Sequence, residues 1–316
     1  MAGSRGRRLS CASASPHHGR RRTLGQALIP RLAAAGHETV AFDLRSGGDD
    51  VRWVEGDIRD LDAVREATAG ADIVVHAVAL HGIHLAAHPP REFHDMNLTG
   101  SFNVWEAAVE HKVRGVVFCS TMGVYGETRK PAGDDDVVFV DEEIPLEPGD
   151  VYGWTKVAGE ELCRYHLRRD GIPSVALRFG MFVPEPFFHD GIRLLYGGVH
   201  EGDVAGAVLA SLVALDRGEV RHEAFNVESR LPFTAEDSSL LRHDVLAAIE
   251  RHYPGAAALL SERGVRALRP ITEIFPVRRL EQRLGFRPRH DFGEWLEQLR
   301  SRTDEQAPND LPWRID

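Results

Sequence analysis

Short, nearly continuous apolar runs alternate with segments of helical period through the first two thirds of the chain. The runs at 39–42, 51–54, 71–78, 115–119 and 174–177 are rich in Val, Ile, Ala and Phe and lack polar alternation. That predicts strands buried on both faces. Between them, 24–35, 61–68, 92–110 and 152–168 carry apolar residues three and four apart, which predicts helices, with Gly36 as the stop signal of the first. Strands alternating with helices make βαβ units, hence a parallel sheet covered on both faces and joined by right-handed crossovers. After Pro184 the rhythm changes to helices at 204–215, 240–251, 277–284 and 292–299 around one short strand at 224–227. The expected fold is therefore α/β: a doubly wound parallel sheet with a small, mostly helical C-terminal cap.

Upstream of Thr23 the pattern breaks. Residues 9–18 read Leu-Ser-Cys-Ala-Ser-Ala-Ser-Pro-His-His, too polar, with Pro16, for a central strand. Residues 1–22 are thus expected to stand in place of a first strand and its turn, 23–183 to form the sheet domain, and 184–316 to form the cap with returns to the sheet. The first 37 residues contain no acid and several Arg and Ser, a composition shared with organelle transit peptides. The folded pattern is under way by Thr23, however, so a cytoplasmic protein is expected.

Candidate chemistry centres on Tyr152 and Lys156. Residues four apart share one helix face, so phenol and ammonium are expected to enter the same cleft. The ammonium favours the phenolate and would lower the Tyr152 pKa from about 10. A tyrosine tuned in this way exchanges a proton with a substrate hydroxyl, which Thr121, at the end of the 115–119 strand, would hold.

Composition removes several classes. A net charge of −10 argues against general nucleic-acid binding, and no apolar run approaches the ~20 residues of a membrane span. Three cysteines without paired or metal-type spacing suit a reducing compartment. Among His76, His81, His84, His88 and His94, His84 and His88 are four apart, but no acid lies between them and Pro89-Pro90 follows; a loop lining the substrate pocket explains the histidines better, and no metal is expected.

Several ordered motifs now converge: Leu24-Gly25-Gln26-Ala27-Leu28, Asp43, Gly56-Asp57-Ile58, Asn97-Leu98-Thr99-Gly100, Ser120-Thr121-Met122-Gly123-Val124-Tyr125-Gly126, Tyr152 with Lys156, Leu177-Arg178, Phe225-Asn226-Val227 and Leu284-Gly285-Phe286-Arg287-Pro288. Together they resemble the extended short-chain dehydrogenases/reductases of the NAD-dependent epimerase/dehydratase family. The resemblance implies a Rossmann-type domain binding NAD(P). Thr121, Tyr152 and Lys156 would be catalytic, with Lys156 also holding the nicotinamide ribose. Gly19, Gly25, Asp43, Asp57, Ile58, Ala77 and Asn97 would meet the cofactor. Asp43 at a strand end favours NAD over NADP, since a 2′-phosphate would meet a like charge. Asp57 could equally cap the next helix, and Arg178 reads as a strand-end ion-pair residue. A homodimer through the helices at 92–110 and 152–168 is implied too, Ala107, Ala108, Val157, Ala158 and Leu162 allowing close approach unless they face the sheet.

Two departures qualify the resemblance. The family's G-x-x-G-x-x-G turn, which brings backbone N–H groups to the pyrophosphate, reads Gly19-Arg20-Arg21-Arg22-Thr23-Leu24-Gly25 here. A local reading-frame error, an arginine phosphate clamp, or loss of the cofactor with retention of a binding role would each explain it. The cap is also short between Pro184 and Asp203, which resembles uronate dehydrogenases; by that resemblance Arg193 would clamp a substrate carboxylate beside Met122, which replaces an expected Asn. The expected activity is NAD-dependent oxidation of a sugar or sugar acid. The alternatives are a nucleotide-sugar epimerase or dehydratase, and a non-catalytic dinucleotide-sensing or scaffold protein.

Overall fold

A computed structural model describes residues 8–12, 23–47 and 51–315. In chain order the strands are β1 (Arg8–Ala12), β2 (Glu38–Asp43), β3 (Arg52–Glu55), β4 (Ile73–His76), β5 (Gly115–Thr121), β6 (Val138–Phe139), β7 (Ser174–Phe179), β8 (His222–Val227) and β9 (Glu273–Ile274). The helices are α1 (Thr23–Ala34), α2 (Leu61–Thr68), α3 (Pro90–Phe93), α4 (Gly100–Glu110), α5 (Val151–Asp170), α6 (Phe187–Arg193), α7 (Glu201–Asp216), α8 (Ser238–His243), α9 (Val245–His252), α10 (Ala256–Glu262), α11 (Arg278–Leu284) and α12 (Phe292–Ser301).

Seven strands form one sheet in the order β3-β2-β1-β4-β5-β7-β8, every neighbouring pair parallel. The winding direction reverses between β1 and β4, so a crevice opens at their carboxyl ends, where ligands bind such sheets. One apolar layer packs α1, α7 and α11 on one face, including Leu28, Val208, Leu212 and Leu280. The other packs α2, α4 and α5, including Val64, Trp105, Ala108 and Leu162. Phe188, Leu241, Ile249, Leu260, Phe292 and Leu296 build a separate core in the C-terminal region, and β6 and β9 pair beside it. The doubly wound α/β expectation is met.

The expectation for the N-terminus is corrected. Arg8–Ala12 is the central strand, in register with Glu38–Phe42 on one side and Ile73–His76 on the other. Leu9 is fully buried and Ser10 nearly so. The strand is complete before Pro16, and ladders on both edges outweigh the weak local β-propensity of Arg-Leu-Ser-Cys-Ala. Its backbone is also tied at the start: Arg8 N donates to Asp72 Oδ2 at 3.1 Å, and Arg8 O accepts from Asp72 N at 2.7 Å. The residues that follow, with Gly19 and the three arginines, lie outside the described residues.

The helix expected over 92–110 is interrupted. A π-helical segment, His94–Thr99, joins α3 to α4. The 240–251 helix divides at Asp244, whose Oδ1 accepts from Ala247 N and so caps a new helix, α9.

Candidate functional site

The crest of β5 and the first turns of α5 meet at the carboxyl edge of the sheet. Asp150 caps α5, its Oδ1 accepting from Gly153 N at 2.7 Å, and Gly171 in the left-handed conformation ends it. Two glycines let the helix sit down on β5. A Cβ on Gly159 would lie 2.3 Å from the Phe118 ring, and one on Gly153 would lie 2.6 Å from the Gly123 carbonyl oxygen. At this closeness Lys156 Nζ reaches the Cys119 carbonyl at 2.7 Å and stands 6.0 Å from the centre of the Tyr152 ring. Thr121 ends β5, 8% exposed, its Oγ1 accepting from Gly123 N. The three expected catalytic residues therefore converge.

Their electrostatics differ from expectation. Burial raises the Tyr152 pKa above its ordinary value, and the Thr121 hydroxyl offsets only part of this. Lys156 is not among the groups that lower it. The phenolate is costly in a buried site, and the ammonium is engaged by a backbone carbonyl. Burial also pushes Lys156 down, to about 8. The ammonium thus sits near the edge of its own charged range.

The loop after β4 closes one side of the pair. The His81 ring meets the Tyr152 ring edge-on at 6.0 Å, and His81 N donates to His84 Nδ1. Burial, with help from Lys156, lowers the pKa of His81 and of His76, both to about 3, so both rings are neutral at ordinary pH. The other histidines of the stretch lie elsewhere: His76 is on β4, bonded to Ser101, and His88 and His94 pair with Glu92 and Asp95. Among the described residues, no group of three or more His, Cys, Asp or Glu is arranged to hold a metal ion. Asn97 locks the loop to α5. Its Oδ1 accepts from Leu80 N, and its Nδ2 donates to Leu80 O and to Thr155 Oγ1. Its side chain thus ties the loop to α5.

The other expected cofactor residues line the crevice unevenly. Asp43 ends β2, 2% exposed, and Ala77 follows β4, also buried. Gly25 is buried in the first turns of α1, while Gly19 lies outside the described residues. Asp57 does not cap α2; Asp60 does. Asp57 instead grips Arg59, which lowers its pKa. The Ile58 side chain is in the core, wedged against Gly100, and its carbonyl accepts from Asn103 Nδ2 at 2.9 Å. The Lys156 ammonium has one hydrogen bond among the described residues and three donors, which leaves capacity for ribose hydroxyls facing the crevice.

A cavity of about 300 Å³ is lined by Gly123, Glu127, Arg129, Lys130, Asp150 and Glu273 among others. The Met122 methyl packs on Gly197. Arg193, the expected carboxylate clamp, engages Glu185 through Nε and Nη2, and its guanidinium lies 4.9 Å from the centre of the Trp313 ring.

A buried network behind the site was only partly legible. Arg178 pairs with Glu160 through Nε at 3.0 Å and Nη2 at 2.7 Å, and donates to Tyr125 Oη at 2.9 Å. Tyr125 in turn donates to Asn226 Oδ1, and Ser120 Oγ donates to Glu160. The ion-pair reading of Arg178 is right. Glu160 was missed, although its place four residues after Lys156 puts it on the inward face of the same helix.

Residues 18–186 match the model of the NAD dependent epimerase/dehydratase family. A uronate dehydrogenase of Pseudomonas syringae pv. tomato is 30% identical over 163 residues, 48% of this chain and 56% of that protein. An L-arabinose 1-dehydrogenase (NAD(P)(+)) of Haloferax volcanii is 36% identical over 140 residues, 40% of this chain and 51% of that protein. The aligned regions thus span about half the length of these curated relatives. A solved mutated uronate dehydrogenase superposes with a TM-score of 0.66 at 20% identity, over 96% of this chain and 89% of that one. With the sheet order, the crevice and the Tyr152–Lys156 pair, the family match places this chain in the NAD-dependent epimerase/dehydratase family.

Proposed function

We propose that this chain is an NAD-dependent oxidoreductase that oxidises a hydroxyl of a sugar. The observation that carries the reading is the convergence of Thr121, Tyr152 and Lys156 on one edge of the crevice. Bound NAD would supply the acceptor for the hydride that the carbinol carbon gives up. Thr121 holds the substrate hydroxyl, and Tyr152 Oη takes its proton. Lys156 holds the ribose and stabilises the phenolate as it forms, which matters because burial alone keeps Tyr152 protonated. Asp43 at the end of β2 suits the hydroxyls of an adenosine ribose, favouring NAD over NADP.

The relatives' names include both dehydrogenases and epimerases of sugars. Release of the reduced cofactor rather than return of the hydride is favoured here by the short connection from Pro184 to Asp203, which offers little surface for a nucleoside diphosphate. Formation of NADH with free sugars tests this directly. Tyr152→Phe should lower kcat by roughly 100-fold or more while the protein stays folded, the range expected for loss of a general acid–base group. Unchanged turnover in that variant would end the proposal.

We also place the protein in a reducing cytoplasm, consistent with the free, buried Cys119 and Cys163, and as a homodimer. Among the described residues no helix is long and apolar enough to cross a membrane. The dimer face differs from the one the small residues suggested: Ala107, Ala108 and Leu162 pack inward, whereas Phe102 on α4 and Trp154 and Tyr165 on α5 are about half exposed.

A further inference from the structure

We propose that Glu228 works as an un-ionised carboxylic acid whose proton is a catch: it holds the 197–198 turn on the carboxyl edge of the sheet and releases it when the acid ionises. The inference goes beyond the oxidoreductase reading and does not rest on it.

Glu228 is the first residue after β8. Thr121, Phe179 and Val227 are in register at the ends of β5, β7 and β8, so Met122, Gly180 and Glu228 are the next residues along the three strands. The ladder continues for one more bond, Gly180 N donating to Val227 O at 3.1 Å. The Glu228 side chain lies over β7, in the space that any side chain at position 180 would need. A Cβ on Gly180 would be 2.1 Å from Glu228 Oε2 and 2.7 Å from the Gly197 carbonyl oxygen, so carboxyl and turn crowd together over one glycine. The turn is stitched to the sheet by three backbone bonds: Met181 N to Gly197 O at 2.9 Å, Val199 N to Met181 O at 3.1 Å and Ser229 N to Gly198 O at 2.8 Å. Gly197 also carries the methyl of Met122, the residue after Thr121.

Glu228 is 2% exposed, and neither of its carboxyl oxygens has a hydrogen-bond partner among the described residues. A carboxylate buried without donors is costly, and a carboxyl in such a place keeps its proton instead. The neighbouring oxygen sharpens the choice. A carbonyl offers only two lone pairs, and Met181 N takes one of those on Gly197. An ionised Glu228 would face the negative end of that dipole, whereas an acid can donate its hydrogen to the remaining lone pair. The charged groups that face Glu228 keep the sign. Glu273 on β9 is a second acid, and Arg129, at the end of the Glu127–Arg129 turn, already donates from Nη1 to Glu273 Oε1 at 2.9 Å. Burial, reinforced by Glu273 and only partly offset by Arg129, holds the Glu228 carboxyl well above the usual carboxylate range.

The pH effect follows by linkage. Between the 4.5 of an ordinary glutamate and the raised folded value, the folded chain binds the extra proton, so stability falls as pH rises through that window. Glu228→Gln keeps the shape, has no proton to lose and still offers a donor to Gly197 O. Wild type, Glu228→Gln and Glu228→Ala are compared by backbone amide exchange and by urea unfolding at pH 5 and pH 9. At pH 5 wild type and Glu228→Gln should protect the amides of Met181, Val199 and Ser229 equally. At pH 9 wild type should have lost about tenfold or more of that protection relative to Glu228→Gln, the size that ionisation of one acid produces over a pH unit. Amides of β4 and β5 should differ less between the two proteins, and the stability advantage of Glu228→Gln should widen with pH. Glu228→Ala should be poorly protected at both pH values. Equal protection in wild type and Glu228→Gln at pH 9 overturns the proposal, as does a wild type that gains on Glu228→Gln in stability as pH rises, or a Glu228→Ala protein protected like wild type at pH 5. Should Glu228→Gln fail to fold, wild type alone decides. A loss of protection at these three amides between pH 5 and pH 9 that exceeds the loss in β4 and β5, after correction for intrinsic exchange, supports the catch, and a uniform change removes it. No arm reads turnover, so failure here leaves the oxidoreductase proposal standing, and inactivity towards every sugar leaves the catch standing.

Discussion

Lys156 is the residue where position and energetics part company. Its place was legible, because a spacing of four on a helix fixes a common face whatever the surroundings. The direction of the pKa shifts was not, because it depends on how completely both groups are buried. Desolvation governs each: it disfavours phenolate at Tyr152 and ammonium at Lys156. For Lys156 the sign follows from linkage. A folded-state value of about 8 against an ordinary 10.5 means the unfolded chain binds more protons between those limits. Stability therefore rises with pH through that window, and the penalty, on the order of 3 kcal/mol at neutral pH, fades as pH approaches 10.5. Lys156→Met removes the titration but also the bond to Cys119 O. The expected outcome is that the variant's stability relative to wild type, from urea unfolding, declines steadily from pH 7 to pH 10. A difference independent of pH would show that the ammonium is not held in a desolvated place.

Elements were read well where their periodicity was strong and poorly where neighbours supplied the order. The α2 helix and the strands β4, β5 and β7 follow directly from apolar patterning, although the cap of α2 is Asp60 and not Asp57. By contrast, β1 is held by ladders on both sides rather than by its own residues, so local propensity could not reveal it. The π-helical turn at His94–Thr99 was equally hidden: it re-aims Asn97 toward Leu80 and Thr155, a tertiary outcome with no periodic trace. Gly159 shows how closely one helix must approach. Gly159→Ala should drive α5 off Phe118 at a cost of about 1–3 kcal/mol, as over-packing does elsewhere. Turnover should fall further than stability alone accounts for, since Lys156 moves with the helix. Denaturant midpoints and kcat measured on one preparation check this; a variant as stable and active as wild type would mean the contact relaxes freely.

At the scale of the molecule, the outer face of α4 and α5 is the surface with most to explain. Phe102 and Trp154 are 54% and 49% exposed, alongside Tyr165. The small residues of these helices were expected either to form the contact or to face the sheet; Ala107, Ala108 and Leu162 face the sheet, and the large residues face out. Trp154→Asp should weaken self-association by about tenfold or more, as loss of a central aromatic anchor does. Sedimentation velocity over a concentration series decides it, and an unaltered distribution would remove this face from consideration.

The chain of bonds from Glu160 through Arg178 and Tyr125 to Asn226 has a further consequence. The family match ends at residue 186, yet the helix bearing Tyr152 and Lys156 is braced by a strand that lies beyond it. The reactive pair is thus completed by sequence that arrives late in synthesis. A nascent chain that had produced everything up to α6 would hold a Tyr125 hydroxyl still waiting for its acceptor, which comes only when β8 docks at the edge of the sheet.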